Sequence, residues 1–505
     1  MKLYRSFLGG LAAILVCAAG MVTLRFVAHA VDGAPGIRVD STPINRDPAT
    51  GNSYSPVIKR VAPSVVNIYS SRIVKQRRYR NPLMADPFFR QFFGDQDGDE
   101  GREITSRDEW LGSGIIVSGN GYILTANHVV EGADEIKVGV QNDRTEYSAK
   151  VIGMDPPTDV AILKIEAKNL PAVTLGDSDQ LEVGDVVLAV GNPFGIGQTV
   201  TRGIISALGR SLSDPSERSY QDYIQTDAAI NFGNSGGALV DAQGRLIGIN
   251  DAMISPSGTS AGIGLAVPVN MARNVMEGFL NGGKVARGYL GVDSQDIDAG
   301  LAKGFGVPNA EGALVTEVSL GSPAAKAGVL AGDVVVEIND KPISSKDSLR
   351  VVVSELRPGS KVDVKIYRNG VPKTLLITLA ERPDIGQPVV KSEDSTTRPP
   401  KADALDGVAV QDLDPQLRKE LRTPLDVAGA LIIDVDHGSN SFEAGLRRGD
   451  VIVEINHFPV ANAEDAVKLC KAARTEEILV KIWHLERDGV GRVRFLSVDN
   501  TKRTQ

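Results

Sequence analysis

Two stretches of this chain, 117 residues apart, are copies of one another. SPAAKAGVLAGDVVVEIND begins at Ser322 and SNSFEAGLRRGDVIVEINH at Ser439, and ten of nineteen aligned positions are identical without a gap. Such self-similarity requires two copies of one module in the C-terminal half. Each copy reads as a short helix closed by Gly328 or Gly445, then a Gly-Asp turn into an apolar strand. The modules are assigned to 283–382 and 405–500. The intervening 383–404 is rich in Pro and charge, which predicts a linker that lets them move relative to each other. At 505 residues the chain is too long for one core, so the N-terminal half must hold a further domain.

That half, at 55–282, shows short apolar runs separated by turn residues: SVVNIY, GIIVS, GYILTA, EIKVGV, VAILKI, DVVLAV, GALV and RLIGIN. No long helical period occurs before MARNVMEGFL, and many short strands at this spacing predict a pair of all-β barrels. The polar segment 31–54, with Pro and Gly and no apolar period, predicts a flexible tether. From 75 to 110 the chain is charged and irregular but carries PFFRQFFG, which reads either as a small local cluster or as a docking element for a neighbouring subunit.

The chain opens with Lys2 and Arg5 ahead of an apolar run from Phe7 to Leu24 and a small-x-small site ending at Ala30, the pattern of an export signal spanning 1–30. The pattern predicts cleavage after Ala30. The length of the run leaves an uncleaved membrane anchor as the alternative, the only route to a membrane in the sequence. Cleavage removes Lys2, Arg5 and Arg25 from the 55 basic residues, leaving 52 against 63 acidic ones, a net charge of −11. Nucleic acid is excluded as a partner, because backbone binding needs clustered cations. Cleavage also removes Cys17 and leaves Cys470 alone, which rules out an internal disulfide and a four-Cys zinc site.

The chemistry is carried by GNSGGALV, in which Ser235 lies between Asn234 and Gly236. Glycines beside a serine allow backbone conformations that aim consecutive N–H groups at one point, as an oxyanion hole requires. The string also fits G-x-S-x-G, the nucleophile elbow of an esterase or lipase, but that elbow needs a helix after the serine. Here ALVDAQGRLIGIN follows, a hairpin signature with its turn at Ala242 to Gly244. A serine nucleophile needs a base and the base needs an orienting carboxylate. Of five histidines, His29 belongs to the signal and His437, His457 and His484 to the second module, so His128 is the sole base in the domain of Ser235. Asp159 is chosen as orienter because it enters a wholly apolar strand, where a carboxylate needs a partner. Asp155 and Asp227 are the weaker alternatives. The order His, Asp, Ser differs from that of both subtilisin-like enzymes and α/β-hydrolases.

TANHVV, TDVAILKI, GNPFGIGQTVTRGIISALGR, QTDAAINFGNSGGAL and GIGLAVPVN, in this order and followed by two PDZ-like repeats, resemble the HtrA/Deg family of envelope serine proteases. The resemblance runs from about Ser55 to the C-terminus. It implies a mainly β fold: a chymotrypsin-like double β-barrel protease domain at 55–282, then two PDZ-like α+β domains. It places an oxyanion hole at the backbone N–H groups of Gly233, Asn234 and Ser235, and an apolar substrate pocket at Ile230 and Ile254. It makes 75–110 a regulatory loop, and Gly288, Tyr289, Leu290, Gly291 and Val292 the carboxylate-binding loop of the first PDZ domain, where a peptide adds as a strand. In the second domain the nearest string is DGVAV at Asp406 to Val410, so peptide binding and an assembly role both stay open there. The resemblance further implies a periplasmic enzyme acting on unfolded polypeptides and exposed C-terminal peptides, with chaperone activity, assembled as a homotrimer or larger homo-oligomer. It implies no metal or organic cofactor. The rival reading is a PDZ scaffold with a decayed protease domain.

Overall fold

The computed structural model describes residues 36–42, 53–77, 103–140, 145–192, 197–212, 220–231, 233–253, 262–382, 402–473, 477–486 and 489–499. The N-terminal signal, the Phe-rich 87–94 string and Ile254 therefore lie outside the described residues. Among the described residues no helix is long and apolar enough to cross a membrane.

Twelve strands form two closed barrels. The first contains β1 (Val65–Arg77), β2 (Glu103–Ile116), β3 (Tyr122–Ala126), β4 (Glu135–Val140), β5 (Thr145–Asp155) and β6 (Val160–Ile165), in the order β1-β2-β3-β6-β5-β4. The second contains β7 (Val186–Gly191), β8 (Thr199–Arg210), β9 (Tyr223–Thr226), β10 (Ala238–Asp241), β11 (Leu246–Met253) and β12 (Gly264–Pro268), in the order β10-β11-β12-β9-β8-β7. Closure removes exposed strand edges, and side chains fill the interior. Val66, Ile68, Ile116, Ile123, Leu163 and Ile165 do so in the first barrel. The hairpin reading after Ser235 holds: β10 and β11 pair antiparallel, and the Gly244 N–H closes their turn on the Asp241 carbonyl at 2.9 Å. No helix leaves the serine, which removes the elbow reading.

Contacts divide the chain into two compact units, residues 1–155, 159–206 and 225–276 in one and 156–158, 207–224 and 277–505 in the other. In the first, part of the expected tether is docked. Arg38 to Asp40 pairs along Leu175, with N–H···O bonds of 2.9 Å in both directions. The exposed end of this segment meets buried Arg245, which bonds the Thr42 carbonyl and is itself fixed to buried Asp241 at 2.6 Å. The expected irregularity at 75–110 also begins later, since β1 runs to Arg77 and β2 starts at Glu103, paired in register.

In the second unit each copy of the repeat forms one large sheet, and the first copy adds a separate two-stranded one. The first module comprises β13 (Gly288–Tyr289), β14 (Val292–Asp296), β15 (Ala313–Val318), β16 (Val334–Ile338), β17 (Lys341–Pro342), β18 (Lys361–Arg368), β19 (Val371–Thr378) and β20 (Ala380–Glu381); β14 is the edge of the order β14-β15-β16-β18-β19. The second comprises β21 (Ala402–Leu405), β22 (Val408–Asp412), β23 (Ala430–Val435), β24 (Val451–Ile455), β25 (Phe458–Pro459), β26 (Glu477–Leu485) and β27 (Gly491–Asp499), in the order β21-β22-β23-β24-β26-β27. Thus the sheet begins inside the segment read as linker. The expected independence of the modules also gives way to packing. Leu301, Phe305, Leu314 and Val334 of the first share a buried cluster with Leu479 and Phe495 of the second, and Gln295 exchanges two 2.9 Å hydrogen bonds with the Phe495 backbone. The Phe305 and Phe495 rings meet edge to face at 5.2 Å, a favoured aromatic geometry.

Candidate active site

His128 sits on a one-turn helix, Asn127–Val130, directly after β3. Buried Val129 and Val130 anchor that turn and leave the His128 side chain 46% exposed. Asp159 grips the histidine twice: Oδ1 accepts the His128 backbone N–H at 2.9 Å and Oδ2 lies 2.5 Å from the ring Nδ1. Its own carbonyl accepts the Asn127 N–H at 2.9 Å. These three contacts hold Asp159 at φ +53°, a left-handed conformation that costs a non-glycine residue roughly 1–3 kcal/mol. Asp227, by contrast, accepts the Ile204 N–H at 2.7 Å and is engaged on its own barrel.

The ring is electrostatically biased. Burial alone would lower the His128 pKa, but the hydrogen bond and charge of Asp159, then the charges of Asp251 and Glu131, outweigh it and hold the imidazole above its ordinary value of 6.5. Asp251 lies on β11 and is 5% exposed, with Oδ1 3.5 Å from the same Nδ1. Nothing in the sequence distinguishes this aspartate.

Ser235 is fixed from both barrels. Its carbonyl accepts the Ser113 N–H of β2 at 2.9 Å, while the Gly236 N–H donates to the Asn250 carbonyl of β11 at 2.7 Å. Gly236 has φ +78°, and a Cβ there would lie 2.2 Å from the Ser113 carbonyl oxygen and 2.3 Å from Thr125 Oγ1. Only glycine suits this turn. Ser113, fully buried, also donates its hydroxyl to the Gly233 carbonyl at 2.6 Å and accepts the Asn192 N–H at 2.9 Å. One serine of the first barrel therefore sets the backbone on both sides of Asn234. Of the three N–H groups expected in the oxyanion hole, that of Asn234 donates to the Asn231 carbonyl at 3.0 Å, whereas those of Gly233 and Ser235 make no hydrogen bond among the described residues. Among the described residues no hydrogen bond joins Ser235 Oγ to the His128 ring. Such contacts commonly tighten when substrate binds. Ile230 is 1% exposed and packs against Gly264; its expected pocket partner Ile254 is not described.

In the first module Gly288 and Tyr289 form β13, and Leu290 and Gly291 lead into Val292 at the start of β14. Gly291 has φ +82°, and a Cβ would fall 2.2 Å from Ser322 Cβ. The Leu290 carbonyl accepts the Ala324 N–H and the Gly291 carbonyl the Ser319 N–H. The loop is thereby braced from one side, beside the open edge of β14. In the second module Gly407 matches Gly291, at φ +67° with a Cβ 2.6 Å from Ser439 Cβ. Two features differ. Asp406 replaces Leu290, and its carboxylate accepts the Asn440 N–H at 3.1 Å. In addition, β21 pairs with the outer edge of β22, and buried Ala404 and Leu405 pack in one cluster with Ala466 and Cys470 of the helix Ala463–Ala472. Among the described residues the edge that is open in the first copy is filled by the chain itself in the second.

Residues 112–249 match the trypsin-like peptidase domain family and residues 288–379 the PDZ domain family. A probable periplasmic serine endoprotease DegP-like of Chlamydia trachomatis is 41% identical over 397 residues, covering 79% of this chain and 77% of the relative. A probable periplasmic serine protease do/HhoA-like of Haemophilus influenzae is 39% identical, covering 86% and 90%. Among solved structures, the HtrA-type protease AlgW with tripeptide superposes with a TM-score of 0.51 at 43% identity, covering 66% of this chain and 98% of that one. The chain belongs to the HtrA family of DegP-like, trypsin-like serine endoproteases.

Proposed function

We propose that Ser235, His128 and Asp159 carry out the peptide hydrolysis of this endopeptidase by acyl transfer. The observation that carries the assignment is the double grip of Asp159 on His128, at 2.9 Å to its backbone and 2.5 Å to its ring. With Nδ1–H committed to Asp159, Nε2 is left as the basic nitrogen. It takes the proton of Ser235 Oγ as the oxygen attacks the scissile carbonyl, and returns it to the leaving amine. Asp159 stabilises the imidazolium without taking the proton. The N–H groups of Gly233 and Ser235 stabilise the tetrahedral oxyanion, a contribution on the order of 10²–10³ in rate for one donor. Water then releases the acyl enzyme by the same path. The family resemblance assigns an apolar pocket for the substrate side chain to Ile230 and to Ile254, the latter outside the described residues. Apolar side chains are exposed by unfolding, so the enzyme acts on unfolded polypeptides.

The first module captures peptide C-termini at Gly288 to Val292, the peptide adding to β14. The second module, with β21 on the equivalent edge and Asp406 in the loop, serves in assembly rather than capture. The export signal and the names of the relatives support a periplasmic enzyme cleaved after Ala30, and the family supports a homotrimer or larger assembly with chaperone activity. Digestion of casein by wild type and by Ser235→Ala tests the catalytic reading. Cleavage by wild type alone is the expected result, and equal cleavage by both overturns it.

A further inference from the structure

Asp251 interrupts the ladder between β11 and β12. Asn250 pairs with Ala266 and Ala252 with Leu265, so Asp251 is the extra residue of a β-bulge. Bulges re-aim a side chain, and they concentrate beside active sites. Here the bulge turns a carboxylate to within 3.5 Å of His128 Nδ1, although the rest of β11 is committed to the second barrel. The preceding residue, Asn250, holds the nucleophile turn through its carbonyl bond to Gly236 and its N–H bond to the Gly237 carbonyl at 2.8 Å. Two adjacent residues of one strand thus serve the serine and the histidine. His128 Nδ1 and a carboxylate oxygen from each of Asp159 and Asp251 lie within 4.8 Å of one another.

We propose that Asp251 is a positioning residue for the peptidase reaction: a second carboxylate that, with Asp159, orients the His128 ring and stabilises the imidazolium formed during acylation. The charged groups that bear on the ring are Asp159 on the turn before β6, Asp251 on β11 and Glu131 at the end of the histidine's own helix, all acidic. Both carboxylates lie on the Nδ1 side of the ring, so when Nε2 accepts the proton of Ser235 the charge of Asp251 adds to that of Asp159 in stabilising the positive ring. Proton uptake is therefore favoured more than one carboxylate alone would favour it. The proton moves from Oγ to Nε2, Nδ1 keeps its own, and neither carboxylate is protonated.

The inference rests on His128 being the base of Ser235. Activity of wild type, Ser235→Ala, Asp251→Asn and Asp251→Ser is measured on an unstructured fluorogenic peptide from pH 5 to 9. The acid limb of kcat/KM, where His128 must lose its proton, moves to lower pH in both Asp251 variants. Their plateau kcat falls on the order of 10-fold, below the roughly 10²–10⁴-fold of a complete acid–base contribution, with KM unchanged. Acid limbs that coincide with wild type in a folded Asp251 variant overturn the proposal while leaving the catalytic reading intact. Hydrolysis by Ser235→Ala equal to wild type instead overturns that reading. Should neither Asp251 variant fold, Asp251→Thr is measured in the same way: an acid limb below that of wild type is expected, and one that coincides with it overturns the proposal.

Discussion

Replacing Ser113 by Ala tests whether the oxyanion turn is held from the opposite barrel. Ser113 Oγ gives its hydrogen to the Gly233 carbonyl at 2.6 Å and receives the Asn192 N–H at 2.9 Å, and the residue has no exposed surface. The substitution leaves a buried carbonyl and a buried N–H unpartnered. At about 1–3 kcal/mol for each stranded group, the loss is about 2–6 kcal/mol of stability. For a domain near 200 residues, where about 1 kcal/mol shifts Tm by roughly 2–4 °C, Tm falls by about 4–24 °C. The backbone at Gly233 also loses its fixed orientation. The kcat on a short peptide therefore falls on the order of 10- to 100-fold, below the full effect of removing an oxyanion donor. KM stays within about twofold, because Ser113 touches no substrate side chain. Calorimetry and initial rates well below the new Tm separate the two effects. A variant with wild-type kcat and wild-type Tm refutes the reasoning, since the two hydrogen bonds would then carry neither stability nor orientation.

Gly291→Ala places a Cβ 2.2 Å from Ser322 Cβ at φ +82° and abolishes binding of a C-terminal peptide, measured by fluorescence anisotropy, while casein hydrolysis by the protease site persists; retained affinity contradicts the loop assignment. Burial raises the Cys470 thiol pKa to about 12, so in protein lacking residues 1–30, where it is the only cysteine, a thiol reagent at pH 8 labels nothing until the second module unfolds. Rapid native labelling would mean that β21 and the helix Ala463–Ala472 do not stay closed. In each module the buried aspartate of the Gly-Asp turn has a basic partner: Asp333 takes two 2.7 Å bonds from Arg368, and Asp450 lies 2.5 Å from His484 Nδ1. His484→Ala removes the ring from Oδ1 of a carboxylate with no exposed surface, leaving the Arg447 N–H on Oδ2 at 2.9 Å, and destabilises the second module by about 1–3 kcal/mol in urea denaturation. No change in its midpoint would show that Asp450 is satisfied without the ring.

The double barrel was legible because short apolar strands between turn residues leave few other ways to close a core. The glycine-flanked Ser235 and the single histidine of its domain stand out in the chain for local reasons: backbone freedom beside one, scarcity of the other. Asp159 is less legible, because Asp155 and Asp227 are also aspartates at strand ends and only tertiary contact separates them. Ser113 and Asp251 carry no sequence signal at all. The first acts across 120 residues, on Gly233, and the second through a bulge, a slip in pairing that an alternating pattern cannot reveal. The docking of residues 38–40 and of β21 is hidden for a related reason. Strand addition uses backbone groups, so segments whose side chains read as tether or linker can still pair. The packing of Phe305 on Phe495 follows from two isolated aromatics in separate modules, which no periodicity connects.

The claim on which everything else depends is that Ser235 is the nucleophile activated by His128. Mass spectrometry of the protein after reaction with a fluorophosphonate tests it most directly. The account predicts one phosphonyl adduct per chain, on the peptide that contains Ser235, with none in Ser235→Ala and a strongly slowed reaction in His128→Ala. An adduct on another residue, or equal labelling of wild type and Ser235→Ala accompanied by equal casein cleavage, would contradict it.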